Sequence, residues 1–156
     1  MPESSEAHRA AWRAFLMAQR AVLQELECEL TDAHDLPLTW YEVLGKLGES
    51  HDRRLHMAEL ATSVLLPPEG MARVVARLED AGLVRKERCH LHAMEWEIVL
   101  TSTGRTRLSR AEVTHAAGVE QYFSAHLTDA EARTLHAAFG RMVDAIARPD
   151  ARAMPA

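Results

Sequence analysis

Apolar residues return every three or four positions from the start of the chain. Trp12, Phe15, Leu16, Val22, Leu23, Leu26 and Leu30 form one stripe, which predicts a helix from about Ala7 to Ala33. His34, Asp35 and Pro37 break it. Thr39-Trp40-Tyr41-Glu42 reads as a capping box opening a short helix. That helix carries Val43, Leu44 and Leu47, and Gly48 is placed to end it in a left-handed turn. A polar linker from Glu49 to Arg54 follows. Two close helices come next. The first runs from about His56 to Val64 with Met57, Leu60 and Ala61 inward. The second starts behind Leu65-Leu66-Pro67-Pro68, reaches about Ala81 and stops at Gly82, with Met71, Val74, Val75 and Leu78 inward.

The period then changes. Leu83 to Arg88 and Glu95 to Leu100 read as strands, the second alternating through Trp96, Ile98 and Leu100, with Cys89 to Met94 as the hairpin tip. Thr101 caps a long helix expected to reach about Leu127. A further capping box, Thr128-Asp129-Ala130-Glu131, opens a last helix to about Ala147. Two close helices followed by a hairpin give a mainly α fold with a small β wing, a winged helix-turn-helix. Residues 1–38 are assigned to an N-terminal dimerisation helix and 39–101 to the winged lobe. Residues 102–147 are assigned to C-terminal dimerisation helices and 148–156 to a tail. The terminal helices exceed what the small lobe needs, which points to a partner chain. The competing reading of the pattern is a monomeric helical bundle with an accidental hairpin.

Composition narrows the choice. Apolar residues make up 47 % of the chain, enough for a packed core. Cys28 and Cys89 are the only cysteines, too few for a disulfide scaffold, so a reducing cytoplasm is the expected setting. No signal peptide or membrane helix is read in the sequence. The net charge is −5, yet residues 67–110 hold 8 basic and 6 acidic side chains. That segment alone is net positive, so a local basic face is compatible with acidic ends.

The stretches LPLTWYEVLGKL, LHMAELATSVLLPPEGMARVVARLEDAGLVRK and VLTSTGR occur in this order. Together they resemble the MarR family of bacterial transcriptional regulators, from about residue 10 to 146. The resemblance implies an obligate homodimer with interlocking terminal helices. It also implies a pseudo-palindromic operator and relief of repression by a small phenolic or other effector. One departure stands out. Family wings carry an Asp-Arg-Arg-like run at the tip, whereas here the positions read His92, Ala93 and Met94.

With the second helix of the pair as the recognition helix, the outward positions are Glu69, Gly70, Ala72, Arg73, Ala76 and Arg77. The small residues allow close approach and their methyls suit thymine, while Arg73 and Arg77 reach phosphate or a guanine edge. Glu69 suits a cytosine amino group or simply the helix dipole. Arg85, Lys86 and Arg88 on the first wing strand, with His90 and His92 at the tip, complete the expected double-stranded DNA contacts. The bland alternative for these residues is a solvated surface.

Trp12, Phe15, Trp40, Tyr41 and His115 are the expected lining of an effector cleft for an aromatic acid or similar molecule, against plain core packing. Cys89, His90 and His92 offer three soft or borderline donors but no fourth, so no metal or cofactor is assigned. Cys28 sits among Glu25, Glu27 and Glu29, which disfavour a thiolate, whereas Cys89 beside Arg88 is the better reactive thiol. No phosphate loop, nucleophile elbow or His-Glu-x-x-His run is found, so an enzyme is not expected. The expected function is a repressor that binds DNA as a homodimer and is released by an effector. The alternatives are a dimeric protein-interaction module of the same fold and a metal- or redox-responsive regulator.

Overall fold

A computed structural model describes residues 5–89 and 95–147. Helix α1, Glu6–His34, is 29 residues long, and Ser5 Oγ accepts from the His8 amide at its start. Only Leu26 and Leu30 of α1 are buried. Asp35 takes the left-handed conformation (φ 49°) and turns its amide onto the last carbonyls of the helix.

Helix α2, Leu38–Glu49, corrects two expectations. The Thr39 box does not form, because the helix already starts at Leu38 behind Pro37. The free Leu38 amide instead donates to Glu27 Oε2 of α1 at 2.6 Å, so the cap comes from another helix. Gly48 does not end α2 either. It makes room for α5, since a Cβ there would stand 2.8 Å from Leu108 Cδ2.

A short strand, β1, Arg54–His56, occupies the end of the expected polar linker and the expected first residue of the next helix. Helix α3 is Met57–Ser63, and α4 is Pro68–Asp80 with proline in its first turn. Leu65, at φ 57°, makes the sharp turn between them, and Gly82, at φ 72°, makes the turn after α4. Strands β2, Val84–Arg88, and β3, Trp96–Leu100, form the wing. The sheet is antiparallel in the order β1-β3-β2, with His56 opposite Glu97 and Glu87 opposite Glu97 across the central strand. Ile98, Val99 and Leu100 are buried, whereas Trp96 is exposed, so the alternation expected through Trp96 does not hold.

Thr101 caps α5, Ser102–Tyr122, by accepting from the Gly104 amide at 3.0 Å. Gly104 is required there: a Cβ would lie 2.0 Å from the Leu83 carbonyl oxygen. The helix stops five residues before the expected Leu127, because Phe123 leaves helical geometry and a tighter turn follows at Ser124–His126. The Thr128–Glu131 capping box forms as expected and opens α6, Asp129–Ala147. The Thr128 hydroxyl, donating to Glu131 Oε2 at 2.7 Å, and then the Thr128 amide hold the Glu131 carboxyl below its ordinary range.

One core joins α1–α5 and the sheet. Leu30, Leu44, Leu47, Leu60, Met71, Val75, Leu78, Leu83 and Ile98 are all fully buried in it. Helix α1 crosses α5 at Gly118, where a Cβ would lie 2.6 Å from Leu26 Cδ2. Nearby the Tyr122 hydroxyl donates to Glu29 Oε1 at 2.7 Å, and that bond pushes the phenol pKa up to about 12. No described helix is long and apolar enough to cross a membrane.

Candidate functional site

Helix α4 presents two faces of opposite character. Met71, Val75 and Leu78 lock it into the core, so its angle and depth are set by close packing. The opposite edge holds Glu69, Ala72, Arg73, Ala76 and Arg77, all exposed, with Gly70 half-buried against Pro67. Arg73 and Arg77 stand one helical turn apart, and among the described residues neither makes an ion pair. All six positions read from the sequence as outward therefore lie along one edge, where two guanidinium groups are available to an anionic partner.

The first wing strand differs. Arg85 Nε pairs with Glu87 Oε1 at 2.5 Å, and Lys86 Nζ lies 3.4 Å from Glu79 Oε2. Glu79 also accepts from the Lys86 amide. The Arg88 guanidinium sits 4.3 Å above the Trp96 ring. Three cations expected to face an anion thus have internal partners. His90 and His92 lie outside the described residues.

The expected aromatic cleft resolves into two places. Trp12 and Phe15 are neighbours on α1, and Phe15 meets Phe139 of α6 at 5.4 Å between ring centres. Tyr41 and His115 instead stack at 4.4 Å beside a cavity of about 660 Å³ between α2, α5 and the α3–α4 turn. Trp40 packs against the core and does not line that cavity. Burial keeps His115 below the ordinary histidine range, so it is neutral at neutral pH. Burial first, then the Glu112 and Glu49 charges, pushes the Tyr41 phenol up. Arg53, Lys46 and Arg105 also border the cavity, giving one apolar aromatic wall and a mixed-charge rim. These rim residues carry no individual signature in the sequence, since three separate elements bring them together.

Cys28 is exposed on α1 and Cys89 is buried at the end of β2. Cys89 is close to His56 and Glu97, two residues that sequence spacing does not connect to it.

The sequence model of the MarR family matches residues 34–93. Among solved structures, the chain is similar to AbsC, a MarR family transcriptional regulator from Streptomyces coelicolor, at 27 % identity. That match has a TM-score of 0.88 and covers 94 % of this chain and 98 % of AbsC. Sco3205, a MarR family transcriptional regulator from the same organism solved in complex with DNA, is 29 % identical with a TM-score of 0.87. It covers 96 % of this chain and 97 % of its own. The wild-type MarR of E. coli is 18 % identical at a TM-score of 0.69, covers 83 % of this chain and 93 % of its own, and supports the fold alone. Among curated proteins no match was found.

Proposed function

We propose that the chain is a transcriptional regulator of the MarR type that binds double-stranded DNA as a cytoplasmic homodimer and acts as a repressor. The observation that carries this reading is the outward edge of α4, where Arg73 and Arg77 flank small residues on a rigidly packed helix. Such an edge fits the major groove, with alanines approaching base methyls and arginines reaching guanine or phosphate. The DNA-bound relative Sco3205 shares the fold over nearly the whole chain, which agrees with this use.

Dimerisation is inferred from α1 and α6, which carry Trp12, Met17, Met142, Val143 and Ile146 more than half exposed. A two-fold pair of α4 helices calls for half-sites about 10 bp apart. The cavity beside Tyr41 and His115 is the proposed effector site, sized for an aromatic acid. An effector that binds one spacing of the two lobes better than the other shifts the DNA-competent population.

Gel-shift titration against the chain's own upstream region tests the reading. Arg73→Ala is expected to weaken specific binding by about 1–3 kcal/mol if the arginine reads a base. If it holds a phosphate, all sequences weaken alike and the salt slope flattens. Unchanged binding contradicts both roles.

One observation favours a second reading, a dimeric protein-interaction module. The wing cations are paired internally, and the tip reads His92, Ala93 and Met94 in place of an arginine run. On that reading no sequence-specific footprint forms at all, which the same titration decides.

A further inference from the structure

We propose that His56, Cys89 and Glu97 form a zinc-class metal site at the root of the wing. One ligand atom from each, a ring nitrogen, the thiol sulfur and a carboxylate oxygen, lies within 4.8 Å of the others. A tetrahedral zinc with bonds of about 2.0–2.3 Å holds its ligands roughly 3.3–3.8 Å apart, so closure needs about 1 Å of side-chain rotation.

The surroundings leave these atoms available. Glu97 uses Oε2 for Arg54 Nη1 at 3.2 Å, while Oε1 faces His56 Nε2 at 3.9 Å. His56 Nδ1 is buried and makes no hydrogen bond among the described residues. Its 3.4 Å approach to Glu95 Oε2 is an ion-pair distance without hydrogen-bond alignment, so it does not satisfy that nitrogen. Cys89 is only 5 % exposed, and its amide donates to the Glu95 carbonyl, which ties the backbone at Cys89 to the residue just before β3. Nitrogen, thiolate and carboxylate are all ordinary zinc donors, with Glu95 or water completing four-coordination. Arg54, bonded to Glu97 and also 3.5 Å from Glu87, supplies the outer contact that orients the carboxylate.

The placement gives the site a consequence. His56 ends β1 and directly precedes α3, Cys89 follows β2, and Glu97 lies in the central strand. A bound ion joins the start of the helix pair to both strands of the wing. Binding deprotonates the thiol and releases a proton.

The test uses the full chain, stripped with a chelator and titrated with zinc against a chromophoric competitor, then with cobalt. One zinc per chain and a thiolate-to-cobalt charge-transfer band are expected. Cys89→Ser should abolish the band, and His56→Gln and Glu97→Gln should each weaken zinc about tenfold or more. Cys28→Ser should change neither. A band that survives Cys89→Ser overturns the site. So does zinc lost only in the double variant His90→Gln, His92→Gln, which would move binding to the hairpin tip. If Cys89→Ser does not fold, X-ray absorption on the zinc-loaded wild type decides. A shell with one sulfur and nitrogen or oxygen supports the site, and a shell without sulfur overturns it. No DNA enters these measurements, so their outcome is separate from that of operator binding.

Discussion

The winged lobe and the terminal helices carry apolar stripes of the same helical period, yet they use them differently. In the lobe, Leu44, Leu47, Leu60, Met71 and Leu78 are wholly buried within one chain. In α1, every residue from Glu6 to Ala21 is exposed, and α6 has no buried residue from Asp129 to Ile146. Trp12, Met142 and Ile146 are 60 %, 56 % and 79 % exposed. Periodicity therefore reports that a face will be covered, and the fold decides by what. The lobe is complete in one chain and positions α4. The ends leave apolar faces bare, and in the proposed homodimer a second copy would cover them and set the distance between two α4 edges.

The largest effect expected falls on the complete region. Leu78→Ala removes most of a fully buried side chain from the joint between α4 and the sheet. The lost burial and the cavity together should cost about 2–5 kcal/mol of unfolding free energy in urea titration. A loss near that of an exposed substitution would mean that the lobe is loosely packed, and α4 could no longer be treated as rigidly held.

Next comes the incomplete region. Met142→Asp with Ile146→Asp places two charges on the bare face of α6, where a monomer has little to lose. Sedimentation equilibrium should show the dimer weakened on the order of a hundredfold, about 2.7 kcal/mol. Far-ultraviolet circular dichroism of the monomer should keep the helical signal of the lobe. If the protein stays equally associated, α6 is not the interface, and the contrast between the two regions needs another explanation.

What the sequence made legible divides along the same line. Features set by neighbours in the chain were read correctly: the Thr101 and Thr128 caps, the Gly82 turn, the stripe of α4 and the wing strands. Features set by distant residues were not. The Thr39 box lost to Glu27, eleven residues upstream of Leu38, because a carboxylate already stood at that amide. Strand β1 was missed: Arg54 was read as the end of a linker and His56 as the start of a helix, since both look polar until β3 is laid beside them. Of the five aromatic-cleft residues, Trp12 and Phe15 lie together on α1, Tyr41 and His115 stack elsewhere, and Trp40 packs against the core. His56 and Glu97 had no local reason to be joined to Cys89.

The smallest effect probes the border between the two regions, where His115 of α5 stacks on Tyr41 of α2. Burial lowers the folded pKa of His115 below 6.5, so the unfolded chain binds its proton more readily than the folded one. The stabilisation from keeping His115 neutral is therefore full above the unfolded pKa and shrinks as pH falls below it. His115→Phe preserves a ring for Tyr41 to stack on and removes the titration. Between about pH 8 and pH 5, the wild-type melting temperature should fall further than that of His115→Phe. Equal falls would show that the imidazole is as easily protonated in the folded chain as outside it. The wall of the cavity would then be wet, and an apolar aromatic effector would have little reason to prefer it over solvent.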